Sequence, residues 1–172
     1  PCNKPGTSIE FLTVMKAILC TQYGPPDVLR LGEVIKPVPA DNKILVKVHA
    51  ATVNRTDCAI LRAKPFVMRF IIGLLRPRNP ILGTEFAGEV ESVGKDVTSF
   101  KSGDRVFGFH DEGLSSYAEY LCISQDAALA TIPENISYEQ AAPSTEGAHY
   151  AINFINKIKL QPGQKVLVNG AT

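Results

Sequence analysis

The feature that most limits how this chain can fold is a change of period at Pro133. From Met15 to Ile132 the chain reads as short runs rich in β-branched and aromatic residues, divided by Gly, Pro, Asn and Asp. Met15 to Thr21, Val28 to Ile35, Ile44 to Ala51, Phe86 to Val93, Arg105 to Phe109, Ser116 to Ile123 and Ala127 to Ile132 are predicted strands. Tyr23-Gly24-Pro25-Pro26 predicts a turn. Lys36-Pro37-Val38-Pro39 cannot continue a ladder, because proline carries no backbone donor. Asn54 to Ala63 is short and helix-compatible. Many short strands with turn signals between them imply an all-β barrel or sandwich.

Beyond Pro133 the pattern becomes helical. Ser137 with Gln140 three residues on is a capping-box signature. Ser144 or Thr145 can cap a second helix, along which Ala151, Ile152, Ile155 and Ile158 recur at helical spacing. Gln161-Pro162-Gly163 stops that helix. Lys165 to Val168 then reads as a buried, parallel-type strand, and Gly170 is where such a strand swings into a helix. A β body that feeds a helix, a turn and a parallel strand implies a second domain of the doubly wound kind.

Composition narrows the function classes. The 172 residues are 45% hydrophobic and 20% charged, enough for one sizeable core. The formal net charge of +1 gives no global field toward nucleic acid or a membrane surface. Cys2, Cys20, Cys58 and Cys122 form no CxxC pair, so neither a zinc knuckle nor a dithiol motif is present. Reduced thiols fit a cytoplasmic compartment. No apolar run reaches the roughly 20 residues that cross a bilayer. Residues 1–14 lack the pattern of a signal peptide and read as a loose arm before Met15, the expected natural start. Arg62 to Pro80 is apolar and basic, with Arg62, Lys64, Arg69, Arg76 and Arg78 and no acid. It reads as a solvated basic loop with Phe66, Ile71 and Leu74 turned inward.

Five stretches in order, MKAILCTQYGPPDVLRLGEV, KILVKVHAATVNRTD, ILGTEFAGEVESVGKDVTSFKSGDRVFGF, SYAEYLCI and QPGQKVLVNGAT, resemble the medium-chain dehydrogenase/reductase superfamily. Within it the chain is most similar to zinc-free quinone oxidoreductases. The resemblance implies a mainly β fold: a GroES-like catalytic barrel over 15–136, then the first helix and strand of a Rossmann cofactor domain over 137–172, truncated at its glycine turn. In that family the turn lets backbone N–H groups approach a pyrophosphate at a helix N-terminus. Only Gly170, Ala171 and Thr172 of the turn are present, and VNGAT by itself does not define a nucleotide site.

The resemblance also assigns roles. Zinc-dependent relatives have Cys where this chain has Asn54 and His where it has Thr84. An amide and a hydroxyl are poor zinc ligands, so no metal is expected. His49 reads as a satisfied sheet residue and His110 as a loop histidine. Asn54 corresponds to a residue beside the nicotinamide and substrate, and an amide offers both donor and acceptor there; its alternative role is the N-cap of the short helix. Thr56 can donate to a substrate oxygen, while Asp57 holds neighbouring backbone. Cys58 reads as a small buried helix residue rather than a nucleophile. Thr145 and His149, in PSTEGAHYA, are candidate cofactor contacts; otherwise Thr145 is a helix cap and His149 faces solvent or the other domain. The activity implied is reduction of quinones or α,β-unsaturated carbonyls by hydride from NADPH, with NADH not excluded. The 172 residues alone are expected to be inactive. The small-molecule acceptor is the expected partner, and a homodimer is left open. The rival is a GroES-like module that binds proteins without catalysis.

Overall fold

The computed structural model describes residues 13–110, 113, 115–167 and 169. Two antiparallel sheets form its body. Strands β1 (Val14–Cys20) and β2 (Leu29–Ile35) make a two-stranded sheet. Strands β3 (Lys43–Ala51), β4 (Glu85–Val93), β5 (Arg105–Phe109), β6 (Tyr120–Ser124) and β7 (Leu129–Thr131) make a second, in the order β6-β3-β4-β5-β7. Neither ladder closes on itself, so the expected barrel is an open one. Single bridges from Ala17 to Ala118 and from Leu19 to Ile81 tie the small sheet to loops beside the large one.

The strand reading holds for most runs. Residues 116–119 are the exception within the predicted run Ser116 to Ile123. The N–H of Ile18 donates to Tyr117 O and the N–H of Glu119 donates to Lys16 O, so this stretch joins the small sheet before β6 joins the large one. Val14 pairs with Ile35, one residue before the expected start at Met15. The rest of the expected arm, residues 1–12, lies outside the described residues.

The core follows from alternation. Ile44, Val46, Phe86, Val90, Val106, Leu121 and Ile123 interdigitate on one face of the large sheet. Burying a side chain of this kind contributes about 1.5–3 kcal/mol. Helix α1 (Arg55–Arg62) lays Ile60 and Leu61 against Cys20 and Leu82. Helix α3 (Tyr138–Ala141) lays Ala141 on Ala87, the opposite face of β4 from Phe86. Strand β4 is therefore covered on both sides at its start, where Glu85 stands. Gly88, further along β4, has no room for a side chain: a Cβ would lie 2.1 Å from Lys47 O.

Between α1 and β4 lies a five-residue helix, α2 (Met68–Ile72). Its neighbourhood corrects the inward reading: Phe66 is 65% exposed, Ile71 67% and Leu74 54%. Only Ile72 of this stretch packs on the second core cluster. His49 is likewise exposed rather than enclosed by the sheet, with its ring stacked on Tyr138 at 4.4 Å.

Helix α4 (Glu146–Ile158) follows α3 through a single 3-10 turn. It has no buried residue. The strand expected at Lys165 to Val168 is not formed over 165–167, although the turn before it is made, with Gln164 N–H donating to Gln161 O. A strand needs a neighbour to take its backbone groups, and no other parallel strand stands beside this one among the described residues.

Candidate functional site

The start of β4 and the start of α4 meet at one carboxylate. Gly83 takes φ 98°, which only glycine adopts freely, and turns the chain so that Thr84 and Glu85 enter the interior. Glu85 is 3% exposed. Its Oε2 accepts from Thr52 Oγ1 at 2.5 Å and from Asn54 Nδ2 at 3.2 Å. Its Oε1 accepts from Thr145 Oγ1 at 2.5 Å and from the backbone N–H of Glu146 at 2.7 Å. Burial pushes this carboxyl up, but the donors from Thr145, Thr52, Glu146 and Asn54 outweigh it and hold Glu85 below its ordinary value. The carboxylate thus sits charged at the N-terminus of α4, where the helix dipole also favours it.

Asn54 stands on the other side of this group. Its Oδ1 accepts from Asp57 N–H at 2.9 Å, and Asp57 Oδ2 accepts from Asn54 N–H at 3.1 Å, completing a capping box on α1. Asn54 Nδ2 donates to Thr84 Oγ1 at 2.8 Å, and Thr84 Oγ1 donates to Asp57 Oδ1 at 3.3 Å. Asn54 and Thr84 are therefore adjacent here and bonded to each other. Asp57 holds backbone as expected, and burial pushes its carboxyl up, opposed chiefly by the Asn54 contact. Both N–H groups of the Asn54 amide are engaged. A direct donation from it to a bound molecule draws on the 3.2 Å bond to Glu85, the longer of its two donations.

A cleft of about 730 Å³ opens on the far side of Glu85. Its floor is Phe107, Gly108 and Phe109 of β5 and Ala128 to Ala130; its polar wall is Thr56, Thr145, Glu146 and His149. Three of the residues singled out in the sequence thus converge, with Asn54 behind them. Thr56 Oγ1 donates to Glu146 Oε1 at 2.6 Å. Glu146 Oε2 is buried and has no hydrogen-bond partner. His149 Nε2 lies 2.9 Å from Asn153 Nδ2; where that amide nitrogen donates, a neutral ring carries its proton on Nδ1. Thr145 occupies the N-cap position of α4, yet its hydroxyl makes no cap bond and goes to Glu85 instead. Cys58 is half-buried on α1 and takes no part. Gly170, Ala171 and Thr172 lie outside the described residues. A second cleft, of about 560 Å³ between β2 and β6, touches none of these residues.

The residues that sequence reasoning missed are Glu85 and Glu146. The signal for Glu85 was an acid within the apolar run TEFAGEV, where an interior carboxylate needs donors. Glu146 was visible only as an acid in a first helical turn. Among the described residues no group of three or more His, Cys, Asp or Glu side chains is placed to hold a metal ion. No described helix is long and apolar enough to cross a membrane.

An open, mainly β body of this kind fits a GroES-like domain. Residues 40–134 match the alcohol dehydrogenase GroES-like domain, and the chain belongs to that family, within the medium-chain dehydrogenase/reductase superfamily. Its relatives include quinone oxidoreductases. That of Sus scrofa is 35% identical over 163 residues, covering 92% of this chain and 46% of the relative. The Homo sapiens protein is 32% identical over the same coverage. The quinone oxidoreductase structure from Coxiella burnetii superposes with a TM-score of 0.78 at 34% identity, over 88% of this chain and 47% of that one. The Escherichia coli quinone oxidoreductase, solved complexed with NADPH, gives 0.70 at 33% identity, over 83% and 41%. The chain spans about half the length of the curated relatives it matches.

Proposed function

We propose that the protein carrying this chain reduces quinones or α,β-unsaturated carbonyls, without zinc, using NADPH held partly in the cleft of Thr56, Thr145, Glu146 and His149. In this reading residues 15–136 are the catalytic domain and 137–172 open the cofactor domain. The observation that carries it is the unpartnered, buried Glu146 Oε2 in the cleft wall. A buried acceptor without a donor costs about 1–3 kcal/mol, so it favours a ligand bringing an N–H or O–H. A nicotinamide carboxamide or a ribose hydroxyl is such a donor. A phosphate is not, and its charge would be repelled by Glu146, so the cleft fits the nicotinamide end and leaves the pyrophosphate to the turn containing Gly170, Ala171 and Thr172.

NADPH supplies a hydride when bound. The chain's own residues orient and exclude water. Phe107, Phe109 and Leu129 give the flat apolar floor on which an aromatic ring can lie. Thr56 and His149 can donate to an acceptor oxygen, Thr56 by turning its hydroxyl away from Glu146 and His149 through Nδ1. Asn54 acts by holding Glu85, and Glu85 holds Thr145 and the first turn of α4 in register with the floor. Positioning of this kind supplies much of what hydride transfer requires. The neutral donors at Asn54 and Thr84, already bonded to each other, support a mechanism without zinc.

The test is binding and oxidation of NADPH, with a simple quinone as acceptor, by the chain and by its parent gene product. The parent should turn over and the 172 residues alone should not. Glu146→Gln and His149→Phe in the parent should each weaken NADPH binding or turnover at least tenfold. Elemental analysis should show well under one zinc per chain. Unchanged kinetics in both variants would move the nicotinamide out of this cleft. A parent that binds no NADPH would leave the protein-binding module as the reading.

A further inference from the structure

We propose that residues 62–78 form a docking patch for an anionic lipid surface. The net charge of +1 hides a local imbalance. No acidic residue stands between Asp57 and Glu85, and Arg62, Lys64, Arg69, Arg76 and Arg78 all fall in that interval. Arg62, Lys64, Arg76 and Arg78 are exposed. Between them the chain presents large apolar side chains to solvent: besides Phe66 and Ile71, Phe70 is 63% exposed and Leu75 84%. Cations thus flank an apolar tip on both sides, the pattern of a segment that lies in a headgroup layer.

The patch is held in shape. Tyr23 Oη donates to Gly73 O at 2.6 Å, Arg78 N–H donates to Ile72 O at 2.8 Å, and Ile72 is anchored on the second core cluster. Arg69 folds back, its guanidinium 5.0 Å from the Tyr23 ring and 5.5 Å from the Phe66 ring. It stiffens the base and leaves the other four cations to face a partner. Within the tip, the N–H groups of Met68, Arg69, Phe70 and Gly73 already donate to Pro65, Phe66, Val67 and Arg69 carbonyls. These groups can enter a headgroup layer without losing a partner to desolvation. Charge complementarity selects an anionic surface, and the unmatched aromatic and aliphatic tip selects a bilayer over an acidic polypeptide. Helix α4 also exposes apolar side chains, but it has no comparable cation cluster and serves as the internal control.

The experiment is co-sedimentation of the full chain with phosphatidylcholine vesicles and with vesicles that also contain phosphatidylglycerol. The chain should bind the anionic vesicles, release at about 1 M salt, and bind the neutral ones at least tenfold more weakly. Each exposed cation contributes about a fivefold factor, so Lys64→Glu with Arg76→Glu should reduce binding at least 25-fold. Phe70→Ser with Leu75→Ser should reduce it at least tenfold, while Phe154→Ser on α4 should leave it unchanged. These side chains are exposed, so all variants should keep the parent thermal midpoint. Equal binding to neutral vesicles overturns the proposal, as does loss through Phe154→Ser with the tip variants unaffected. Displacement by polyglutamate with no effect of Phe70→Ser and Leu75→Ser overturns it in favour of an acidic polypeptide. Cofactor binding is independent of every arm.

Discussion

Helices α1 and α4 are built in opposite ways. The eight-residue α1 is closed at its start by the Asn54–Asp57 capping box, ends with Ala63 in the left-handed region, and buries Asp57, Ile60 and Leu61. The thirteen-residue α4 has no side-chain cap of its own and no buried residue. Length favours α4, since an isolated helix shorter than about 12–15 residues is marginal, and the more so the shorter it is. Packing favours α1. What α4 has instead is a carboxylate supplied by β4, sixty residues away along the chain. The contrast teaches that α1 belongs to the β body, whereas α4 is held to it chiefly at one end, the end that lines the cleft.

The largest expected effect contrasts the two regions directly. Phe86→Ala should destabilise the body by about 3–5 kcal/mol in urea unfolding. Phe154→Ala on α4, from an exposed position, should change it by less than about 0.5 kcal/mol. Similar losses from both would mean that α4 is part of the core. Next comes the capping box. Asn54→Ala removes the cap and leaves Thr84 without its amide donor inside the protein, a loss of about 2 kcal/mol by chemical unfolding. A loss under 0.5 kcal/mol would make the Asn54 network incidental.

The strands, α1 and the capping box at Ser137 and Gln140 were legible because each depends on residues within a few positions of one another. Asn54 was legible for the same reason: the amide at N-cap and the acid at N3 are both in VNRTD. The clamp was not, because Glu85, Thr145 and Thr52 are brought together only by the sheet. Loop 116–119 changes sheets, and local pattern carries no record of which sheet a strand-like run will join. The segment at 165–167 has strand composition but no neighbour to pair with among the described residues. Phe66, Ile71 and Leu74 have the composition of an inward face, and only the fold reveals that they are exposed among the described residues. Of the site, Thr56, Thr145 and His149 do meet in one cleft, while their roles as cofactor contacts rest on the proposal above.

A smaller effect is expected with pH. The Glu85 carboxyl is held below its ordinary value, so its stabilising contribution is complete above the ordinary carboxylate range and is lost as pH falls through the depressed value. Asp57 runs the other way. Burial raises it, so it costs stability at neutral pH and recovers some as pH falls through the raised value. Urea titrations from neutral pH into the acid range should therefore show Glu85→Gln losing less stability than the unsubstituted chain, and Asp57→Asn losing more. The reverse order would contradict the assignment of donors around Glu85.

The central claim is that Glu85 fastens the first turn of α4 to the β body and so shapes the cleft. Amide hydrogen exchange in Glu85→Ala, followed residue by residue, tests it most directly. The account predicts that the N–H groups of Glu146 and His149 exchange at least tenfold faster than in the unsubstituted chain, while those of Val90 and Val106 in the body change by less than twofold, with Glu85→Gln between the two. Unchanged protection at Glu146 and His149 in Glu85→Ala would contradict it and leave α4 held to the body by something other than this carboxylate.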